Sequence, residues 1–340
     1  MFSERILVYP VFVRELGYYL TNISIVLTSF TFRHQRCPVH LREERNLPMI
    51  FISDFSSPIG QLISQRMRME EQPFCIGVSD PQAVSELYGA HFDFRRFDVQ
   101  DASTFVEALA GCDQIFLEFP ANADLETFEY FIHYLRQTAL QHIVYLSAKD
   151  ALSLPFTPHH RIEVVIRQTD IPYTIIRPSY YMQHLNMFMR DMLRDHAHLF
   201  APAGIGKTSM IDARDVATVV MTCLENPATH LNKMYTISGE EAYNFYDIAS
   251  LLGEELETDI MYTNPSIQFF RSFMIQHGWT NEETNDIIKL HVPILLGLAD
   301  ETDNHFMELI GNHPITLRQY IKDYLSHWGN EVEGKAYDYS

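Results

Sequence analysis

Two side chains suited to proton handling lie four residues apart, at His159 and Glu163. On a helix this spacing places both on one face, where the carboxylate can fix the imidazole ring. A fixed imidazole can orient a substrate carbonyl or deliver a proton to it. A surface ion pair explains the same spacing equally well, and His160 is the neighbouring alternative. The pair is therefore a candidate acid-base site whose role stays open.

Two other spacings match catalytic patterns but lie in the wrong kind of element. Residues 201–208, which end in Gly206-Lys207-Thr208, fit a loose phosphate-binding loop, but such a loop needs a helix directly after it. The next residues, 209–212, predict a strand instead. Tyr145 and Lys149 have the spacing of a catalytic tyrosine-lysine pair, which works only when both lie on one helix. Tyr145 is predicted in a strand, as a core or cofactor-flanking residue.

The composition indicates a large α/β protein and argues against several other classes. The 340 residues are 46% hydrophobic, which is enough for one large domain with an appended lobe. A net charge of −19 argues against a surface that neutralises nucleic-acid phosphates. The four cysteines are scattered and have no metal-ligand spacing. We therefore expect reduced thiols in a cytoplasmic protein, no metal site and no direct nucleic-acid partner.

The first 48 residues differ in composition from the rest of the chain. Arginine and glutamate nearly balance there, whereas the remainder is strongly acidic. The uncharged stretch 16–32 reaches the lower length limit for a membrane span, but its serine, threonine and asparagine side chains argue against one. Glu4 argues against a signal peptide. We expect residues 1–48 to be an extension outside the fold, or a start assigned too far upstream, and residues 331–340 to be a tail.

Strands and helices alternate from residue 49 to about residue 240. Short apolar runs predict strands at 50–52, 74–78, 92–99, 113–119, 142–146, 173–177 and 233–237. Helical segments between them predict a Rossmann-like, doubly wound parallel sheet of the α/β class. Residues 241–330 are mainly helical in pattern and predict a smaller C-terminal lobe, which would close a cleft at the carboxyl ends of the strands.

Several ordered stretches resemble one known family, and they are specific for it only when taken together. They are residues 142–147 (HIVYLS), 171–178 (IPYTIIRP) followed by Tyr180 and Tyr181, 211–217, 234–239 and 314–320. From Met49 to about Trp328, the chain resembles the NmrA-like, atypical short-chain dehydrogenase/reductase family. That family includes nicotinamide-dependent quinone reductases and non-catalytic nucleotide sensors. Its quinone-reductase branch also shows the His-x-x-x-Glu spacing.

The resemblance places the family's glycine-rich loop, T-G-x-T-G-x-x-G, on Ser53, Asp54, Phe55, Ser56, Ser57, Pro58, Ile59 and Gly60. Asp54 and Ser57 replace the first two glycines, so that only Gly60 remains. A carboxylate about 4 Å from a phosphate would repel it by up to about 4 kcal/mol at an effective dielectric constant near 20. Ser57 could instead cap the following helix and donate to phosphate. The altered loop is therefore compatible with cofactor binding that is retained, weak or absent.

The resemblance implies further contacts at the ends of the other strands. For the cofactor they are Ser79, Asp80, Asp98, Phe119, Pro120 and Leu146, and Ser147 would lie near the nicotinamide. No arginine stands at Ser79-Asp80 to bind the 2′-phosphate of NADP, so Asp80 favours NAD through a ribose hydroxyl. Tyr180 and Tyr181 either line a substrate pocket or belong to the core.

Two functions remain open from the sequence. In the first, NAD(P) supplies a hydride near Ser147, and His159 or a water molecule polarises a quinone-like or carbonyl acceptor, with Glu163 fixing the imidazole. In the second, the same cleft makes the protein a non-catalytic NAD(P)-responsive regulator or scaffold. The expected partner is a small-molecule substrate. A homodimer or a regulatory protein partner is compatible with the sequence, and membrane attachment is not expected.

Overall fold

A computed structural model describes residues 47–328 of the chain, apart from residues 90, 121, 122 and 153. The strands are β1 (Ile50–Ile52), β2 (Phe74–Val78), β3 (Phe94–Arg96), β4 (Gln114–Glu118), β5 (His142–Leu146), β6 (Tyr173–Pro178), β7 (Tyr180–Tyr181), β8 (His198–Phe200), β9 (Lys207–Ile211), β10 (Lys233–Ile237), β11 (Ala242–Asn244) and β12 (Met261–Thr263). The helices of the first half are α1 (Pro58–Met69), α2 (Pro81–Tyr88), α3 (Phe105–Ala108), α4 (Leu125–Leu135), α5 (Pro158–Arg167), α6 (His184–Phe188) and α7 (Arg190–His196). Those of the second half are α8 (Ala213–Glu225), α9 (Pro227–His230), α10 (Phe245–Leu256), α11 (Ile267–Gln276), α12 (Asn281–Leu295), α13 (His305–Ile310), α14 (Leu317–Asp323) and α15 (Leu325–Trp328).

The centre of the fold is a parallel sheet. Within the described residues it has seven strands in the order β10-β6-β5-β4-β1-β2-β3, and each neighbouring pair is parallel. The chain builds one half of the sheet outward from β1 and the other half outward from β4. Because β1 and β4 are neighbours, a crevice opens between their carboxyl ends, which is where ligands bind in such sheets. The predicted Rossmann-like doubly wound fold is confirmed.

Apolar side chains cover both faces of this sheet. On one face, β1 packs against α1 and α8 through side chains such as Ile52, Ile63 and Val216. On the other face, α4 and α5 pack against β4 and β5, with Phe131 and Ile166 fully buried. The short apolar strands are thus buried on both sides, as expected for parallel strands under helices.

Four strands, β1, β2, β5 and β10, have the predicted ends, whereas β3 is shorter than predicted. The apolar run at 92–99 predicted eight strand residues, but the strand covers only Phe94–Arg96. The Asp98 carboxylate accepts the N–H of Gln100, and the Asp101 carboxylate accepts the N–H of Ser103. These two local bonds turn the backbone away from the sheet, since aspartate side chains compete with strand pairing in this way.

The smaller lobe has a core of its own, which is built from two separate stretches of chain. One stretch, between β7 and β9, contributes Leu185 and Leu199; the other, from α10 to α15, contributes Phe245 and Ile321. The lobe is mainly helical, with short strand pairings of β9 with β7 and β11 and of β8 with β12. The boundary at residue 240 stays a prediction, and the lobe core also draws on residues before it.

Other features of the chain can be stated only for the described residues. The predictions for residues 1–46, including the stretch 16–32, and for the tail 331–340 lie outside them. No helix in the described part combines the length and apolar character needed to cross a membrane. Cys75, Cys112 and Cys223 are buried free thiols. Across the same part of the chain, no group of three or more histidine, cysteine or acidic side chains is placed to hold a metal ion.

The buried carboxyl of Asp215, near the start of α8, is expected to make the fold less stable as the pH rises. Burial raises the pKa of Asp215 from 3.8 to about 7, although its hydrogen bond from the N–H of Ile315 opposes this shift. The folded chain therefore holds this proton more tightly than the unfolded chain does. Stability is full below about pH 4 and is lost as the pH approaches 7. Asp215→Asn keeps an oxygen for Ile315 but cannot ionise.

We therefore compare the unfolding free energy of Asp215→Asn with that of the unmodified chain at two pH values. The advantage of the variant should be about 2 to 3 kcal/mol larger at pH 8 than at pH 5. Urea unfolding at the two pH values measures this difference. Asp286→Asn, at an exposed position on α12, is the matched control and should show almost none. An equal effect of Asp215→Asn at both pH values would contradict the raised pKa.

Candidate functional site

The predicted proton-handling histidine lies beside a strand tyrosine at the edge of the cleft. The Tyr145 hydroxyl is 2.7 Å from His159 Nδ1, and the ring of Phe119 packs edge-on against the same imidazole. Tyr145 is fully buried at the end of β5, whereas His159 is half-buried in the first turn of α5. Burial lowers the pKa of His159 to about 4, so its imidazole is neutral at pH 7.

The proton on His159 can be assigned from its neighbour. The Tyr145 hydroxyl has no other hydrogen-bond acceptor among the described residues, and burial raises its pKa well above 10. A buried hydroxyl needs an acceptor for its proton, so Tyr145 donates to Nδ1 and the imidazole proton is on Nε2. The Nε2–H makes no hydrogen bond within the described part of the chain. This arrangement leaves a fixed, neutral donor.

Glu163 belongs to a second, buried cluster. Its carboxylate accepts the Ser147 hydroxyl at 2.6 Å and pairs in a bidentate way with the Arg177 guanidinium, whose Nε is 2.8 Å from Oε1. Ser147 directly follows β5 and Arg177 lies beside it on β6, so that two neighbouring strand ends meet one helix side chain. The Glu163 side chain is 2% exposed and that of Arg177 is 10% exposed. The ion pair therefore holds the Ser147 hydroxyl in one orientation.

These contacts correct the predicted partnership between His159 and Glu163. The two side chains do share a helix face, but no hydrogen bond joins them in the part of the chain that the structure describes. Tyr145 on β5 and Ser147 directly after it are two residues apart, so their side chains point to the same face of the sheet, where each contacts one side chain of α5. The imidazole is fixed by a tyrosine hydroxyl, and the carboxylate is fixed by an arginine.

The altered glycine-rich loop still builds a helix N-terminus. Ser57 is the N-cap of α1, and its Oγ accepts the N–H of Gly60 at 2.8 Å. A Cβ added to Gly60 would lie 1.9 Å from the backbone oxygen of Asp54, so only glycine allows the loop to pack on the helix. The Asp54 carboxylate turns back onto Ser56, where it accepts the N–H and the hydroxyl at 2.7 and 2.6 Å. Asp54 thus forms a local turn.

A buried glutamate sits directly across from this loop. Glu118, the last residue of β4, accepts the Ser57 hydroxyl at 2.6 Å, and its backbone N–H donates to Ser53 Oγ. These bonds join the ends of β1 and β4, at the crevice of the sheet. Burial, with a further contribution from the charge of Asp54, raises the pKa of Glu118 well above its ordinary value. The neutral acid is therefore favoured over a wider pH range than for an exposed glutamate.

A dinucleotide pyrophosphate is compatible with these groups. The backbone N–H groups of Ser57 and Ile59 have no acceptor within the described residues. N–H groups at a helix N-terminus are the usual ligands of a phosphate, which the helix dipole also attracts. Asp54 is engaged in its own turn, and Glu118 carries little charge while it is protonated. The residues present therefore fit NAD(P), with the loop N–H groups and Ser57 as the expected phosphate ligands.

The structure assigns other roles to several predicted cofactor contacts. The Phe55 ring packs against Tyr88, Phe92 and Phe94, in the core beneath α1. Asp80 caps α2 by accepting two backbone N–H groups. The remaining positions differ in exposure: Ser79 and Asp98 are exposed, Pro58, Phe119 and Pro120 are half-buried, and Ile59 and Leu146 are buried. Their cofactor contacts stay predictions, and the preference for NAD through Asp80 has no support.

The two tyrosines of the predicted substrate loop have different surroundings. The Tyr180 hydroxyl bonds to His291 Nε2 at 3.2 Å inside the lobe core, so this tyrosine is a core residue. The Tyr181 hydroxyl is buried and has no partner among the described residues. It lies close enough to Glu118 for that charge to raise its pKa, after the larger effect of burial. An unpaired buried hydroxyl costs stability, which is typical of a position that binds a ligand.

As predicted, neither of the two misleading spacings forms the catalytic or phosphate-binding site that it matches. Lys149 does not approach Tyr145; its ammonium donates to Ser209 Oγ at 3.3 Å and to the backbone oxygen of Glu301. It therefore links the sheet to the lobe. Thr208 lies within strand β9, so no helix begins directly after Lys207 and Thr208, and a Cβ on Gly206 would strike the backbone of Ile294. Residues 201–208 do not form a phosphate-binding loop.

A known protein family matches the sequence of this chain. The model of the NmrA-like family matches residues 89–290, which is more than half of the chain. The chain belongs to the NmrA-like family.

Several proteins similar to this chain are named as reductases. The NAD(P)H azoreductase of Xenophilus azovorans is 22% identical over 295 residues, which cover 83% of this chain and 99% of that protein. A triphenylmethane reductase of Citrobacter sp. in complex with NADP(H) has a TM-score of 0.72 and 20% identity, covering 81% of this chain and 99% of that one. The NADPH complex of a quinone oxidoreductase from Escherichia coli has a TM-score of 0.73 and 20% identity, covering 82% and 100%. At such identity, the structural likeness establishes the fold.

Proposed function

We propose that this NmrA-like protein is a nicotinamide-dependent reductase of a quinone-like, azo or carbonyl acceptor. The observation that carries the proposal is the neutral imidazole of His159, fixed by the buried Tyr145 hydroxyl at the carboxyl edge of the sheet. The names of the azoreductase and the quinone oxidoreductase support the reaction class. The substrate itself is part of the proposal.

In this proposal, each residue has a separate task. A bound nicotinamide supplies the hydride. His159 donates its Nε2–H to the oxygen or nitrogen on which charge develops, because an oriented neutral donor stabilises that charge without titrating near pH 7. Tyr145 holds the imidazole in the required tautomer. Ser147, fixed by Glu163, borders the same strand end, and the unpaired hydroxyl of Tyr181 faces the ligand.

The basic test is cofactor binding followed by turnover. Calorimetric titration of the full-length protein with NADH and with NADPH should give binding to at least one of them. Oxidation of that cofactor should then require a small quinone or an azo dye, with absorbance at 340 nm as the readout. Binding without oxidation, for every acceptor class tried, would contradict a reductase.

The role of His159 predicts a specific pattern in variants. Tyr145→Phe and His159→Gln should each lower kcat by about 100-fold, the loss typical of one donor to developing charge, and leave the Kd for the cofactor nearly unchanged. His160→Gln is the matched control, because the His160 side chain bonds only to the backbone oxygen of Ala151 within the described residues. A comparable loss in His160→Gln would assign the effect to helix α5 as a whole.

A regulator or scaffold is the second candidate function, and the replaced glycines favour it. The carboxylates of Asp54 and Glu118 lie near the phosphate site, and Ser57 bonds to one of them. If the native protein binds neither cofactor while the Asp54→Gly/Ser57→Gly double variant binds, the second candidate replaces the first. In that case a protein partner or a second copy of the chain becomes the expected ligand.

A further inference from the structure

Two buried thiols lie side by side near the amino ends of β2 and β4, away from the residues discussed so far. Cys75 is on β2 and Cys112 is in the turn before β4, and their Sγ atoms are 3.5 Å apart. A disulfide requires about 2.05 Å, so the two sulfur atoms must approach by roughly 1.5 Å. Rotation of two side chains can supply such an approach, because the sulfurs already contact each other.

The neighbours of the two sulfurs make them chemically unequal. Arg95 Nη1 lies 3.6 Å from Cys112 Sγ, and the same guanidinium is fixed by the backbone oxygens of Ala108 and Ala110 and by Asp93. The hydrogen bond from Cys75 and the charge of Arg95 lower the pKa of Cys112, whereas the Cys112 neighbour and burial raise the pKa of Cys75. Since the thiolate is the nucleophile, Cys112 is the more reactive thiol.

The two thiols also differ in access. Cys112 is 4% exposed and follows Gly111, whose φ of +71° turns the chain at the surface. Cys75 is fully buried behind it. Cys223 is equally buried, and no hydrogen bond or ion pair involves its sulfur among the described residues, so it serves as an internal reference for an isolated buried thiol.

We propose that Cys112 and Cys75 are an oxidation site that forms an intramolecular disulfide when the protein meets a hydroperoxide. The Cys112 thiolate attacks one oxygen of the peroxide, the O–O bond breaks, and Cys112 becomes a sulfenic acid while the other oxygen leaves as water or an alcohol. The Cys75 thiol then attacks the oxidised sulfur and releases a second water molecule. Two thiols lose two electrons in total, and the peroxide gains them.

The test uses the full chain carrying Cys37→Ser, which removes the cysteine that lies outside the described residues. The protein is treated with hydrogen peroxide, denatured in N-ethylmaleimide and mapped by tryptic mass spectrometry. We expect a peptide linked through Cys75 and Cys112, with Cys223 alkylated. Alkylation of all three cysteines after a treatment that oxidises free cysteine would overturn the proposal.

Single variants test the order of the two steps. Cys75→Ser should leave a sulfenic acid on Cys112 that dimedone traps, whereas Cys112→Ser should leave Cys75 reduced. Arg95→Gln should slow formation of the linked peptide by about 10-fold, because less of Cys112 is then thiolate. Circular dichroism of each variant checks folding, and Cys112→Ala replaces Cys112→Ser if the serine variant is unfolded. Oxidation of Cys75 at an unchanged rate without Cys112 would overturn the assigned order.

Discussion

Replacement of Glu163 by alanine is expected to lower the free energy of unfolding by about 3 to 5 kcal/mol. The change leaves the Arg177 guanidinium buried without its counter-ion and removes the acceptor of the Ser147 hydroxyl. The loss of a buried partner is costly because the remaining charge cannot be solvated by water. Urea unfolding of the unmodified protein and of Glu163→Ala at pH 7 measures the difference. The cofactor Kd of the folded variant shows whether the loss of the Ser147 hydrogen bond also affects cofactor binding.

A surface pair with the same contact distance is the matched control. Arg66 Nε and Glu70 Oε1 are also 2.8 Å apart, but their side chains are 36% and 44% exposed. Such pairs contribute at most about 1 kcal/mol, so Glu70→Ala should have a small effect. The double variant Glu163→Leu/Arg177→Met should recover much of the stability, since it removes both charges. If Glu163→Ala and Glu70→Ala cost the same, burial is not what makes the Glu163 pair important.

Glu118→Gln is expected to strengthen binding of NADH or NADPH by about 10- to 100-fold at pH values above the pKa of Glu118, because an ionised Glu118 would repel the cofactor phosphates across the crevice. The pKa of this buried carboxyl is raised, so it is mostly neutral at low pH and gains charge as the pH rises. Affinity of the unmodified protein should therefore fall with rising pH, whereas that of Glu118→Gln should not. Titrations between pH 6 and pH 9 measure both trends.

The effect of Glu118 on binding must be distinguished from that of other ionisable groups near it. Asp54 contributes charge, and Tyr145 and Tyr181 lie close by. Burial raises the pKa of both tyrosines, so neither ionises in the range used. Asp54→Asn tests the remaining carboxylate, and Glu282→Gln, at an exposed position of the lobe, is the neutral control. A pH slope that persists in Glu118→Gln would assign the effect to Asp54 or to the cofactor.

The layout of the sheet could be predicted because its signals are local. The strands β2, β5 and β10 have the predicted ends. The first two are apolar runs bounded by residues that break a strand, and burial on both faces requires such runs in a parallel sheet. The prediction for β3 was too long, because an apolar run does not show that the side chains of Asp98 and Asp101 will bend the backbone at its end.

The site was harder to predict because it depends on how α5 crosses two strands. The spacing of His159 and Glu163 indicated a shared helix face, but it could not show which strand residues lie opposite. The alternation of side chains along an extended strand does predict that Tyr145 and Ser147 point to the same side of the sheet. Glu118 was not among the predicted site residues. Its bond to Ser57 arises because β1 and β4, distant in sequence, are neighbours in the sheet.

The origin of the lobe core in two stretches of chain limits how the molecule can open. The backbone passes from the sheet to the lobe after β6, returns before α8, leaves again after β10, and comes back once more at α13, where Phe306 packs into the sheet core. A lid that opens by a hinge motion is joined to the rest of the protein by a few hinge residues that change conformation. Here several crossings connect the lobe to the sheet, so we expect substrates to reach the crevice without a wide swing of the lobe away from the sheet.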